Sequence, residues 1–138
     1  EDEAAFRQYI QRTSGNLIDV GIRALGGIPN GATNAIGYAA GLARYLVAVP
    51  DLEARGRVPL LDGRAEAVAG LASKALAAWP SRPDIAMPAR AALFETVGAR
   101  AILKRAVADP MAVANGTLEP APVREKLSLM AAAFFGRV

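Results

Sequence analysis

Apolar residues recur along this chain at the three- and four-residue spacing of helices rather than the two-residue spacing of strands. No run alternates apolar and polar residues for long, and the β-branched residues are scattered. The first helix is predicted from Asp2 to Leu25. Acidic residues open it, where the positive end of the helix dipole favours them. Phe6, Tyr9, Ile10, Leu17, Val20 and Ile22 supply its apolar faces, and Gly26 and Gly27 end it. Thr13, Ser14, Gly15 and Asn16 lie mid-helix, where propensity alone would not put them. Two readings fit them: a close-packed crossing that needs small side chains, or a kink that lines a cavity.

A second helix is predicted over Gly31–Val49, with Pro50 stopping it or kinking it sharply. Leu42, Tyr45, Leu46 and Val49 form its apolar stripe. Gly37 and Gly41 lie four apart, share a face, and would let another backbone or a ligand come close. Arg55 to Gly63 reads as a loop by its Gly and Pro content. A third helix is expected over Arg64–Trp79 and a fourth over Ala89–Ala108, with Leu93, Val97 and Ala101 at four-residue spacing. Asp109 and Pro110 end the fourth, and Asp109 reads as a helix-end residue or as a ligand. A last helix is expected over Val123–Phe135. No linker divides the chain, so the 138 residues read as one all-α domain, a helical bundle.

At 53% hydrophobic and 21% charged residues the chain is globular rather than disordered. No segment has the roughly 20 apolar residues that span a bilayer; the longest candidate, Ala32–Val49, is broken by Arg44. The net charge is +3 with the arginines dispersed, so nucleic acid is not an expected partner. The acidic start is the wrong charge for a signal peptide, and the missing initiator methionine suggests a chain that begins inside a longer protein. The expected setting is cytoplasmic, with peripheral contact at the inner membrane. With no cysteine and no histidine, thiol chemistry, Ser–His–Asp catalysis and zinc sites of the usual ligand types are excluded. Catalysis here would need carboxylates, Arg or Lys, hydroxyls, or an oxygen-bound metal.

Three stretches together resemble the squalene/phytoene synthase family. Phe6-Arg7-Gln8-Tyr9-Ile10-Gln11-Arg12-Thr13-Ser14-Gly15-Asn16-Leu17 is similar to the family's Tyr-x-x-x-Ala-Gly-x-x-Gly helix. Gly37 to Leu60 resembles its second aspartate-bearing helix and the Gly-Arg-Ile-Tyr-Leu-Pro loop that follows, here Gly56-Arg57-Val58-Pro59-Leu60-Leu61. Ser73-Lys74-Ala75-Leu76 and Arg100-Ala101-Ile102-Leu103 keep the order of the later helices. The resemblance covers most of this chain but only the back half of a family member, and it implies part of an isoprenoid-synthase-like fold. It also implies an activity: two aspartate-rich helices hold Mg²⁺ ions that neutralise a departing diphosphate while prenyl groups are joined.

The second of those motifs should read Gln-Leu-x-Asn-Ile-Leu-Arg-Asp-x-x-x-Asp. Anchored on Gly56-Arg57, its Gln falls on Gly41, its Asn on Arg44, and its two Asp positions on Ala48 and Leu52. Asp51 and Glu53 are the nearest carboxylates and the remaining metal-ligand candidates. In this respect the chain looks like the divergent branch of the family related to complex I assembly factors, which keeps the fold and loses aspartates. The expectation is therefore an isoprenoid- or lipid-binding or assembly protein without prenyl-joining activity. The alternative is a working prenyltransferase, using Mg²⁺, whose first aspartate motif lies in a missing N-terminal half. Ser14, Gly15, Gly37, Gly41, Arg55 and Arg57 are the candidate substrate-binding residues, and no catalytic residue or cofactor is assigned within the chain. Arg55 and Arg57 read either as a phosphate clamp or as solvated loop charges. Half a bundle would leave apolar helix faces open, so a homo-oligomer, or contact with the missing half, is expected through Gly15, Gly37 and Gly41. Arg124, Lys126 and Arg137 flank the apolar block of the last helix, which would dock on the bundle or rest on anionic lipid.

Overall fold

The computed structural model describes residues 2–81, 83–119 and 130, and among these every regular element is a helix. The helix expected over Val123–Phe135, with its basic flanks, lies outside the described residues apart from Met130. Helix α1 (Glu3–Ile10) starts where the Asp2 carboxylate accepts the Ala5 N–H at 2.7 Å, a side-chain cap on one of the free first-turn donors. The chain then widens into one π turn over Gln11–Gly15 and resumes as α2 (Asn16–Ala24). The first helix thus has nearly its expected length, but it is not uniform. The wide turn falls on the Thr13–Asn16 region, whose residues have little attachment to ordinary α-helix.

That turn lies against α3 (Gly31–Ala54). Asn30 and Thr33 form a reciprocal capping box at its start: Asn30 Oδ1 accepts the Ala32 and Thr33 N–H groups, and Thr33 Oγ1 accepts the Asn30 N–H at 2.9 Å. α1–α2 and α3 run antiparallel, and their crossing is built from small residues. A methyl group on Gly37 would stand 3.0 Å from the Gly15 Cα, and one on Gly41 would stand 2.6 Å from the Ser14 Cβ. Of the two readings of Thr13–Asn16, the structure takes the close-packed crossing.

Pro50 neither ends nor sharply kinks α3, which continues to Ala54. A proline costs its helix one N–H bond and crowds the preceding turn. Here the ring is half-buried, close to the turn at Gly116, and the four residues beyond it finish the helix. Nearly the whole middle of α3 is covered, from Ile36 through Ala43 and on to Leu46 and Val49. α1, α2 and the π turn pack on it from one side. α4 (Ala65–Ala77), α6 (Ala99–Ala108) and α7 (Met111–Ala114) complete its surroundings.

The fourth expected helix is broken. α5 (Met87–Arg90) runs into a 3₁₀ segment, Ala91–Thr96, and α6 begins only after Val97 and Gly98. Gly98 has φ +88°, a left-handed conformation that glycine adopts without steric cost, so the four-residue spacing of Leu93, Val97 and Ala101 spans a turn. Alanine fills much of the interior: Ala39, Ala40 and Ala43 on α3, Ala72 and Ala75 on α4, and Ala106 on α6 are all buried. The described residues close a core of their own. Gly15, Gly37 and Gly41 are spent inside it, which removes them as the surface through which another chain would dock. Exposed apolar side chains lie elsewhere, among them Tyr9, Leu17 and Val20 on the outer side of the first helix, Ile28 before α3, Val58 and Leu61 on the loop after it, and Met87 and Met111 farther on.

Candidate functional site

Among the described residues a cleft lies between α1, the end of α3 and the loop after it. It encloses about 620 Å³ and is lined by Ala5, Phe6, Tyr9, Tyr45, Leu52, Arg57, Val58, Pro59, Leu60 and Leu61. That volume is ordinary for a small-molecule site, which spans about 300–1,000 Å³. Its aromatic wall comes from two helices: Phe6 and Tyr45 meet edge to face at 5.2 Å between ring centres, and Tyr9 and Tyr45 at 6.1 Å.

The opposite wall is set by how α3 ends. Gly56, at φ +73°, allows the Gly56 N–H to donate to the Glu53 carbonyl at 2.8 Å and the Arg57 N–H to donate back to the Leu52 carbonyl at 3.0 Å. This return bond brings the Arg57 backbone beside Leu52, at the polar rim of the cleft. The Tyr45 hydroxyl donates to the Pro59 carbonyl at 2.6 Å and ties the loop to α3. Farther on, Arg64 clasps the Asp62 carboxylate at 2.6–3.0 Å, and these contacts hold the Asp62 carboxyl down at a pKa of about 2. Phe6, Leu60 and Leu61 also line a neighbouring cavity of about 330 Å³, whose rim carries Glu3, Asp62 and Lys74. The Lys74 ammonium pairs with Glu3 at 2.9 Å.

The candidate residues separate into distinct places. Ser14, Gly15, Gly37 and Gly41 occupy the helix crossing, where protein atoms already fill the space a ligand would need. Arg55 and Arg57 are both exposed, and neither forms an ion pair among the described residues. Arg57 lines the cleft and Arg55 does not. Asp51 and Glu53 are exposed in the last turn of α3, and two residues apart on a helix they point to opposite sides. Among the described residues no three carboxylates gather closely enough to hold a metal. Of the positions matched to the aspartate motif, Leu52 presents an apolar side chain to the cleft, Ala48 is half-buried, and Arg44 pairs with Glu95 at 3.0 Å. Asp51 and Glu53 are therefore not brought together as a pair of Mg²⁺ ligands. Asp109 follows α6 as an exposed helix-end residue, its N–H donating to the Arg105 carbonyl at 2.7 Å.

No family model, curated protein or solved structure matches this chain. The cleft itself carries the chemistry from which a function is read. Its aromatic members, Phe6, Tyr9 and Tyr45, are not among the sequence-derived candidates. Phe6 and Tyr9 are three apart and so share a helix side, which is a usable signal. Their meeting with Tyr45 depends on where α1 crosses α3, and that is a tertiary matter.

Proposed function

We propose that this chain is a binding domain for an elongated apolar molecule with an anionic end, of the isoprenoid or lipid-like kind, and that it does not itself join prenyl groups. The observation that carries this reading is the aromatic and aliphatic cleft lined also by Arg57, an arginine with no ion pair among the described residues. The walls match a hydrocarbon chain. An arginine lining the same cleft, with no ion pair among the described residues, suits a phosphate or carboxylate, which a guanidinium grips in a fork of N–H donors. The resemblance to squalene/phytoene synthases supports the choice of isoprenoid among apolar ligands. Leu52 and Ala48, standing where that family holds its metal ions, support binding without prenyl transfer.

Titration calorimetry with farnesyl diphosphate, farnesol and inorganic diphosphate tests the proposal. The expected order places farnesyl diphosphate first. It should exceed farnesol by about tenfold, the worth of one charged hydrogen-bonding contact. That advantage should disappear in Arg57→Gln, and Mg²⁺ should change the affinity of none of the three. Failure of both farnesyl compounds to saturate the protein would remove the reading. Binding that requires Mg²⁺ would favour instead a prenyltransferase completed by a preceding segment.

A further inference from the structure

The outer side of the first helix carries an apolar stripe that the core does not use. Tyr9, Leu17 and Val20 are 53%, 57% and 62% exposed. On an unbroken α-helix Tyr9 and Leu17 would point about 80° apart. The π turn between them takes up one extra residue, so they stand as two residues seven apart would, within about 20° of one another. Thr13, between them, satisfies its hydroxyl inside the helix, donating to the Tyr9 carbonyl at 2.9 Å and the Ile10 carbonyl at 3.3 Å. The π turn therefore organises two faces at once: Ile10, Ile18 and Ile22 toward the core, and Tyr9, Leu17 and Val20 toward solvent.

The exposed charges beside this stripe are basic, with Asp19 the half-buried exception. Arg12 and Arg23 are exposed on the same helix and form no ion pair among the described residues. Asp19 is the only acid between Ala4 and Ala24. It is turned toward α3, where the Asn34 amide, oriented with its nitrogen toward the carboxylate, donates to both oxygens at 3.2 Å. We propose that this side of the helix rests on an anionic lipid surface, with Tyr9, Leu17 and Val20 entering the headgroup boundary and Arg12 and Arg23 against the phosphates. An in-plane helix with apolar side chains on one line and arginines beside it is how such surfaces are held. A second copy of the chain suits the stripe less well, since it would bring arginines toward arginines. The inference does not depend on the cleft holding a ligand. It does give the cleft a setting, because Tyr9 belongs to both and its mouth would open at the lipid.

Sedimentation of the full chain with vesicles tests this. Vesicles of phosphatidylcholine alone are compared with vesicles containing phosphatidylglycerol, at low and high salt. Binding is expected to the anionic vesicles only, and to weaken with salt. Each of Arg12→Gln and Arg23→Gln should lower it about five-fold. Leu17→Glu with Val20→Glu should abolish it while leaving the thermal midpoint and helical circular dichroism intact, because both positions are exposed. Several results would overturn the proposal: no binding at low salt, unchanged binding in the Leu17→Glu/Val20→Glu variant, or loss caused instead by Leu127→Glu with Phe134→Glu. Polyglutamate bound as tightly as the vesicles would point to an acidic polypeptide. A dimer seen by light scattering and dissolved by Leu17→Glu would point to a second copy.

Discussion

Substituting Gly41 by alanine asks whether the α1–α3 crossing is as tight as its geometry states. The added methyl would stand 2.6 Å from the Ser14 Cβ and 2.9 Å from the Ile10 Cγ2 and Ser14 Oγ. Ser14 Cβ is fixed to the backbone and cannot swing aside, so the helices must separate or the methyl must be compressed. Overpacking of this kind costs about 1–3 kcal/mol. Replacing glycine by alanine inside a helix returns about 1 kcal/mol. With contacts this short the upper half of the first range applies, and the net loss should be about 1–2 kcal/mol. For a domain of this size that lowers the melting temperature by about 4–8 °C.

Gly70 supplies the comparison. It is an exposed mid-helix glycine on α4 with nothing within 4 Å of an added methyl. Gly70→Ala should therefore stabilise by about 0.5–1 kcal/mol. Denaturant unfolding followed by Trp79, the one tryptophan and 8% exposed, measures both variants. Removing the obstructing atom should then rescue the first: in a double-mutant cycle Ser14→Gly and Gly41→Ala should couple favourably by about 1 kcal/mol. If Gly41→Ala and Gly70→Ala shift stability alike, the crossing is not where the close approach lies.

Tyr45→Phe keeps the ring contacts with Phe6 and Tyr9 but deprives the Pro59 carbonyl of its donor, so it should cost about 0.5–1.5 kcal/mol and speed amide exchange over residues 57–62; unchanged exchange there would mean the loop is held by packing alone. Asp62 gives a pH signature with a definite sign. Its folded-state pKa is lowered from 3.8 to about 2, so its contribution is present above pH 3.8 and is lost as the pH falls toward 2. Asp19 acts in the opposite sense: burial raises its pKa, partly countered by Arg23, so its contribution is full below 3.8 and lost as the pH rises through the raised value. Thermal melts of Asp62→Asn should show a shallower loss of stability between pH 4 and 2 than the parent chain, and an identical acid limb would show that the Arg64 clasp does not contribute.

Much of the helical plan was legible because its signals are local. The start of α3 at Asn30 follows from capping chemistry, the end of α2 from Gly26-Gly27, and α4 from an alanine-rich run after the Arg55–Gly63 loop. Some of the features that departed from expectation depend on partners distant in sequence, others on a backbone conformation that spacing does not show. Thr13–Asn16 announces weak attachment to α-helix, but whether it becomes a kink or a wide turn is decided by Gly37 and Gly41 across the crossing. Pro50 reads locally as a stop, yet the helix runs on to Ala54, with the Pro50 ring itself half-buried beside Gly116. Val97 fits a helical stripe, and only the left-handed Gly98 shows that the stripe is interrupted. At the cleft, Arg57 was legible as a loop cation beside a helix end. The aromatic wall facing it was not, because Phe6 and Tyr45 are neighbours only after α1 has crossed α3.

The alanine interior has a consequence for how this chain can change over time. A single-base change at an alanine codon yields valine, threonine, serine, proline, glycine, aspartate or glutamate. At Ala39, Ala40, Ala43, Ala72 and Ala106, each fully enclosed within a helix, none of these is comfortable. Valine and threonine add atoms where none fit. The carboxylates bring charge without partners, and serine's hydroxyl is satisfied only by bonding back to its own helix, at some cost to that helix. Proline removes a backbone bond and glycine loosens the helix. A leucine-rich core has neighbouring codons for isoleucine, valine and methionine through which it can drift at little cost. This one has almost no such exits, so its interior should stay fixed across descendants while the outer faces and the loop beside the cleft absorb nearly all the variation.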